Sequence, residues 1–213
     1  MTETLTGVTV VTHPLVQHKL TLLRDRATTT RDFRLLMGEI AAFLCYEATR
    51  DLELEPVEVE TPLERTHGAQ VSGKKLGVVA VMRAGVGMLD AVLDLIPAAR
   101  VGFVGLYRDE QTLRPVEYYS KLPGDLAERD VLLLDPMLAT GGTASAAGRL
   151  CADAGARRIR LLSIVAAPEG VDRFGAEVPE AEVYTAALDR AIDERGFIMP
   201  GLGDAGDRLY GTR

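Results

Sequence analysis

Residues 132–144 read LLLDPMLATGGTA, and this stretch decides the fold. An apolar run ends at an acid, Asp135. The chain then turns through Ala139-Thr140-Gly141-Gly142-Thr143 and enters a helical pattern. In a strand–turn–helix unit the first N–H groups of the helix lack internal partners and sit at the positive end of its dipole. Glycine lets that backbone approach an anion without a Cβ in the way, and the threonine hydroxyls add donors. The segment therefore reads as a phosphate cradle. No Gly-Lys-Ser/Thr follows, so it is not a Walker A loop. The alternative is a plain strand–helix turn. Asp135 speaks for a ligand that offers hydroxyls as well as phosphate, such as a ribose phosphate.

Outward from this unit the chain keeps the same style. Apolar runs KKLGVVAVM (74–82), RVGFVGLY (100–107), DVLLLD (130–135), IRLLSIVAA (159–167) and AEVYTAAL (181–188) punctuate the central and C-terminal parts. Helical stretches such as Met88–Ile96 lie between them. Continuous apolar strands separated by helices predict an α/β fold, with a mostly parallel central sheet covered by helices on both faces. Upstream, a short helix is expected over Leu15–Arg24 after Pro14. Thr29 with Asp32 resembles a capping box. Phe33, Leu36, Met37, Ile40 and Leu44 follow at helical spacing. LELEPVEVE (52–60) alternates apolar and acidic residues around Pro56 and reads as a half-exposed edge strand. No repeat or linker interrupts the chain, so residues 1–213 are read as one domain with N-terminal helices and a C-terminal segment.

Composition narrows the partners. Lys plus Arg is 24 and Asp plus Glu is 31, so the formal charge is 24 − 31 = −7. That acidic balance opposes nucleic-acid binding, and aromatics at 5% with no Trp supply no base-stacking platform. Cys45 and Cys151 have no metal-like spacing and are expected to be buried thiols. The start MTETLTGV has neither a basic nor an apolar signal region, and no apolar run is long enough to cross a membrane. A cytoplasmic protein without membrane contact is expected.

Seven of the 21 glycines gather in three loops, at 85–87, 141–142 and 201–206. Arg83 and Arg108 each follow an apolar run, where ligands sit in a parallel sheet, and could clamp a pyrophosphate through forked hydrogen bonds. Gly85 and Gly87 are expected to bring backbone near the same phosphates. The polar stretch 109–124 carries two prolines and reads as an arm or lid. GLGDAG (201–206) matches G-x-G-x-x-G, but only seven residues remain after it, too few for a dinucleotide fold. It is expected to be an irregular loop whose backbone recognises a small planar group. His13, His18 and His67 lie outside the glycine motifs and are read as structural or exposed.

These motifs carry a resemblance. DPMLATGG (135–142), HPLVQHKL (13–20), RAGVGM (83–88), YRDEQTL (107–113), AAPEG (166–170) and GFIMPGLGDAGDRLYGT (196–212) together resemble the uracil phosphoribosyltransferases, within the type I phosphoribosyltransferase superfamily. Most of that superfamily carries two adjacent acids where this chain has Asp135-Pro136, the form similar to the uracil enzymes. The resemblance implies the type I fold with a β-arm and a C-terminal uracil-binding hood. It implies conversion of uracil and 5-phospho-α-D-ribose 1-diphosphate (PRPP) to UMP and diphosphate in pyrimidine salvage. PRPP would be bound by Arg83, Arg108, Asp135, Pro136, Met137, Leu138, Ala139, Thr140, Gly141, Gly142, Thr143 and Asp204. Uracil would be bound by Ile198, Gly203, Asp204 and Ala205, with Asp204 and Arg108 acting in catalysis. Mg²⁺ is implied, carried mainly by PRPP, as are a homo-oligomer and a GTP effector whose site the sequence does not place. A nucleotide sensor or RNA-binding regulator, or specificity for another base, are the competing readings.

Overall fold

The computed structural model describes residues 2–5, 7–73, 76–108 and 115–212. In chain order the elements are β1 (Thr2–Leu5), β2 (Val8–Val11), α1 (Pro14–Arg24), α2 (Thr30–Ala48), β3 (Leu54–Glu60), β4 (Arg65–Val71), β5 (Gly77–Met82), α3 (Val86–Leu95), β6 (Arg100–Arg108), β7 (Pro115–Lys121), β8 (Asp130–Leu134), β9 (Met137–Leu138), α4 (Gly142–Asp153), β10 (Arg158–Ala166), α5 (Pro168–Glu177), β11 (Glu182–Leu188), β12 (Ala191–Ile192), β13 (Ile198–Met199) and α6 (Ala205–Tyr210). The main sheet has the order β1-β2-β11-β10-β8-β5-β6-β7, with the short β9 also on β10. The pairs from β2 to β6 are parallel. Antiparallel pairs close both margins.

The five apolar runs are continuous because both faces of their strands are covered. Val78, Leu132, Leu134, Leu162 and Ile164 face one core, shared with Phe33, Met37, Ile40 and Leu44 of α2 and Met88 and Val92 of α3. Their neighbours Val79, Val81, Leu133 and Leu161 face the other, shared with Ala147 and Cys151 of α4 and Phe174 of α5. Helix α2 starts where Thr29 and Asp32 placed it. The Thr29 hydroxyl accepts the Asp32 N–H at 3.2 Å and donates to the Asp32 carboxylate at 2.8 Å. Both cysteines are buried, and burial pushes their thiols up to about 12, so they are inert side chains of the core.

Several features depart from the sequence reading. Strand β2 joins the parallel sheet beside β11, although TVV is too short to announce itself. The 52–60 segment forms a strand but leaves the main sheet. It pairs with β4 as a separate hairpin, in which β3 is exposed except at Val57 and β4 except at Val71. Alternating glutamates cannot be buried cheaply, so this hairpin projects as an arm. Within the 109–124 stretch, expected to be an arm or lid, residues 109–114 lie outside the described residues and 115–121 form β7, paired with β6. Gly105 of β6 makes room there for the Tyr118 ring, which a Cβ would meet at 2.5 Å. Arg160, inside an apolar run, is buried at the far end of the sheet from the glycine loops, and its Nη2 donates to Asp51 at 2.7 Å.

Candidate active site

The sheet reverses its winding between β5 and β8. From β5 the chain passes through α3 to β6 on one side. From β8 it passes through α4 to β10 on the other. Helices α3 and α4 contribute to opposite cores. In an open parallel sheet such a reversal leaves a crevice at the carboxyl ends of the two diverging strands. Residues 83–85 and 135–139 stand at those ends.

A cavity of about 300 Å³ occupies this place. From β5 and the turn after it come Arg83 and Ala84. From the β8–α4 connection come Asp135, Met137 and Ala139. The C-terminal segment closes the other side with Gly196, Phe197, Ile198, Gly203, Asp204, Ala205 and Gly206. Residues roughly 70 and 120 positions apart thus share one wall. A roomier groove of about 760 Å³ between α2 and α3 is an open trough lined mainly by helix side chains, and the glycine cradle does not border it.

Asp135 is the most perturbed group here. Its side chain is half-buried on the cavity wall, and burial pushes the carboxyl up from 3.8 to about 7, against the weaker effect of the Met137 N–H that donates to it at 3.4 Å. Its backbone is fixed on β10: its N–H donates to the Leu162 carbonyl, and its carbonyl accepts from the Ser163 hydroxyl. Arg83 is well exposed and loosely held, 3.7 Å from Asp207 and 5.8 Å from the centre of the Tyr210 ring. Tyr210 donates its hydroxyl hydrogen to the Arg83 carbonyl at 3.0 Å. The Arg108 side chain lies outside what the structure describes; its backbone ends β6, next to β5.

Beyond Ala139 the chain turns through Gly141, whose φ of +76° favours glycine, and α4 begins. Pro136 and Leu138 are buried against the sheet, and their carbonyls accept from Ile164, Val165 and Ala167. They shape the cradle but do not line the cavity; neither do Thr140, Gly141, Gly142 and Thr143, which continue from its rim into the first turn of α4. The AAPEG glycine has a clear task. A Cβ on Gly170 would lie 2.5 Å from the Ala139 carbonyl oxygen, so α5 packs directly against the cradle.

Two sequence expectations need correction. Gly85 and Gly87 do not border the cavity, and packing accounts for both. A Cβ at Gly85 would sit 2.2 Å from the Leu134 carbonyl oxygen, and one at Gly87 would meet Leu209 at 2.5 Å. Both glycines exist so that α3 can pack on β8 and α6. Gly85→Ala is therefore expected to destabilise the fold by about 3 kcal/mol, since backbone must move; urea unfolding checks this, and a change within 0.5 kcal/mol overturns it. The second correction concerns 201–206. The loop ends at Asp204, which caps α6 by accepting the Asp207 N–H at 2.9 Å, and Ala205 and Gly206 are already helical. A turn of helix fits because the six residues bury Leu209 and Ala205 in the core.

Sequence reading missed Ala84, Gly196, Phe197 and Gly206 as cavity walls. Phe197 is an aromatic surface beside the proposed base contacts, whereas low aromatic content had favoured recognition by backbone edges alone. The signal was its place immediately before Ile198. His13, His18 and His67 do not line the cavity; His13 caps α1.

A doubly wound sheet with an acid, an arginine and a glycine cradle at its winding reversal defines an α/β protein built for a sugar-phosphate ligand. A family model described as uracil phosphoribosyltransferase matches residues 10–212. The uracil phosphoribosyltransferase of Finegoldia magna is 54% identical over 206 residues, covering 97% of this chain and 99% of that protein. That of Geobacillus kaustophilus is likewise 54% identical over 206 residues, with the same coverage. A solved protein structure from Aquifex aeolicus superposes with a TM-score of 0.90 at 37% identity, covering 95% of this chain and 97% of that one. The chain belongs to the uracil phosphoribosyltransferase family.

Proposed function

We propose that the crevice between β5 and β8 is where this chain carries out its family's reaction. Uracil and PRPP become UMP and diphosphate, a pentosyl transfer of pyrimidine salvage. The bond from ribose C1′ to diphosphate oxygen breaks, the bond from C1′ to uracil N1 forms, and the N1 proton leaves. The observation that carries the reading is the meeting of Arg83 and Asp135 with Ile198 and Gly203–Ala205 in one cavity. The deciding assay follows diphosphate release from PRPP with each nucleobase in turn. Release with uracil alone is expected; release with none, or with a purine instead, overturns the reading.

The roles follow from chemistry. Asp135 would accept the ribose hydroxyls, and residues 137–143 would hold the 5′-phosphate at the start of α4. Arg83 and Arg108, at neighbouring strand ends, would take the charge of the departing diphosphate. Ile198, through its carbonyl, and Gly203, Asp204 and Ala205 would meet the uracil edge. Phe197 C=O accepts from Asp193 N–H and Met199 C=O accepts from Arg190 N–H. By strand alternation the Ile198 carbonyl between them turns away from β12. Asp204 would contact both substrates, and its carboxylate also caps α6.

Mg²⁺ fits the donor set. Among the described residues no three His, Cys, Asp or Glu side chains cluster for a metal, while two hard carboxylates, Asp135 and Asp204, face the cavity. Mg²⁺ binds through one or two carboxylates plus substrate phosphates, so PRPP would bring it, and it would neutralise charge on the diphosphate. No helix among the described residues is long and apolar enough to cross a membrane. The reading extends to a cytoplasmic homo-oligomer open to a GTP effector, with the β3–β4 hairpin as the projecting element available to a second copy.

Arg83→Met is expected to lower kcat/KM by about 100-fold. Its melting temperature should stay within about 2 °C, because the guanidinium is exposed and weakly anchored. Arg108→Ala should behave alike. Full activity in either variant removes that arginine from the site.

A further inference from the structure

The base-contacting loop is held by an ion pair that does not itself line the cavity. Asp189 follows β11 and is only 6% exposed in its side chain. Its carboxylate accepts two N–H groups from Arg24, at 2.7 and 2.6 Å, fork on fork. The same carboxylate accepts the Gly201 N–H at 2.9 Å. Arg24 in turn donates to the Gly201 carbonyl at 2.7 Å. Both backbone groups of Gly201 are thus engaged by one bidentate pair.

The pair has two rigid anchors. The Asp189 N–H donates to the Ala166 carbonyl at 2.8 Å, which ties it to the carboxyl end of β10. Arg24 ends α1, whose Leu20 and Leu23 are buried in the core. A second arginine completes the fastening. Arg208 donates to the Leu202 carbonyl at 2.9 Å and to the Leu23 and Asp25 carbonyls at 2.7 and 2.5 Å, and its guanidinium stacks over Phe33. Both backbone polar groups of Gly201 and the carbonyl of Leu202 are therefore engaged by Arg24, Asp189 and Arg208. The residues on either side, Ile198 and Gly203–Ala205, are left facing the cavity.

We propose that Arg24 and Asp189 are positioning residues for the nucleobase: the pair sets the backbone of 201–204 and so the direction of the groups that meet uracil. This rests on the assignment of the uracil site to Ile198 and Gly203–Ala205. A buried ion pair adds little stability over an apolar pair of equal volume, because desolvation offsets the attraction. What the bidentate fork supplies is direction. Arg24 and Asp189 act on the wall that faces the PRPP cradle, so their effect falls mainly on the base and reaches PRPP only through Asp204.

The test uses steady-state kinetics of Arg24→Lys, Asp189→Asn and Ala205→Val, with KM for uracil and for PRPP determined separately. Arg24→Lys keeps the charge on a partly exposed side chain and loses only the fork, so it tests the idea even if Asp189→Asn folds poorly. Both are expected to raise the uracil KM about tenfold or more, as loss of a charge-assisted hydrogen bond does, with PRPP KM within about twofold. Weaker discrimination of uracil from cytosine should accompany this. Parallel rises in both KM values, or a lowered melting temperature with both KM values unchanged, overturn the proposal and leave the pair a purely structural tie. Ala205→Val adds methyls to the cavity wall itself. Loss of uracil binding there with an unchanged uracil KM in Arg24→Lys overturns the positioning role alone. Unchanged uracil binding in Ala205→Val overturns the site assignment and this proposal with it.

Discussion

Asp135→Asn is expected to abolish most activity and yet make the folded protein more stable above neutral pH. The carboxyl sits half-buried on the cavity wall, and burial holds it at about 7 instead of 3.8. The folded state therefore keeps a proton that the unfolded state releases near pH 4. The group's contribution to stability is complete below that value, falls as pH rises and is lost once pH passes 7. At pH 8 the buried carboxylate costs up to about 4 kcal/mol, which a neutral amide of the same shape removes. Thermal melts of both proteins from pH 4 to pH 8 should show a gap that opens with pH in favour of the variant. A constant gap, or a less stable variant at pH 8, contradicts this. In catalysis the sign reverses. The amide accepts ribose hydroxyls poorly, so kcat/KM should fall by about 100-fold or more. Binding of PRPP with Mg²⁺ near pH 6.5 should release a proton from the native protein and none from the variant. Calorimetry in buffers of different ionisation heat reads that difference.

Gly201→Ala is expected to remove uracil binding while sparing PRPP. Gly201 has φ +61°, and a Cβ there would lie 2.1 Å from the Ile198 carbonyl oxygen. That neighbour is backbone, so no rotamer change relieves the contact, and either Gly201 or the Ile198 carbonyl must shift. Gly201 is pinned through both its N–H and its C=O by Asp189 and Arg24. The carbonyl proposed to meet the base is thus the group displaced. A uracil KM raised about 100-fold or more is the expected result, equal to losing one or two well-directed hydrogen bonds. PRPP KM should stay within about threefold, because β5, β8 and α4 are untouched. A normal uracil KM in a folded Gly201→Ala protein would remove the Ile198 carbonyl from the site.

Much of this architecture was legible along the chain. The five apolar runs became adjacent parallel strands, and the turn from Leu134 into α4 placed Asp135 at a strand end beside a glycine cradle. Such signals are local: an apolar run buried on both faces, a glycine at positive φ, a threonine cap. The misreadings involve distant neighbours. Gly85 and Gly87 answer to packing against Leu134 and Leu209, dozens of residues or more away along the chain. LELEPVEVE had the alternation of a sheet-edge strand, but its pairing with residues 65–71 put it on a separate hairpin.

By itself, then, the sequence determined the five central strands, the helices between them, the parallel character of the sheet and the strand–glycine turn–helix unit at its centre. Each depends on side-chain type at short spacing, and the energies of burial and backbone conformation act at that range. The tertiary structure alone decided that residues 196–206 close over Asp135 and Arg83, that burial raises the Asp135 carboxyl to about 7, and that Arg24 and Asp189 hold Gly201. Those properties arise from desolvation and directed hydrogen bonds between segments that come from different parts of the chain, 165 residues apart in the case of Arg24 and Asp189. Spacing along a chain does not carry them, because they exist only once the core has brought those segments together.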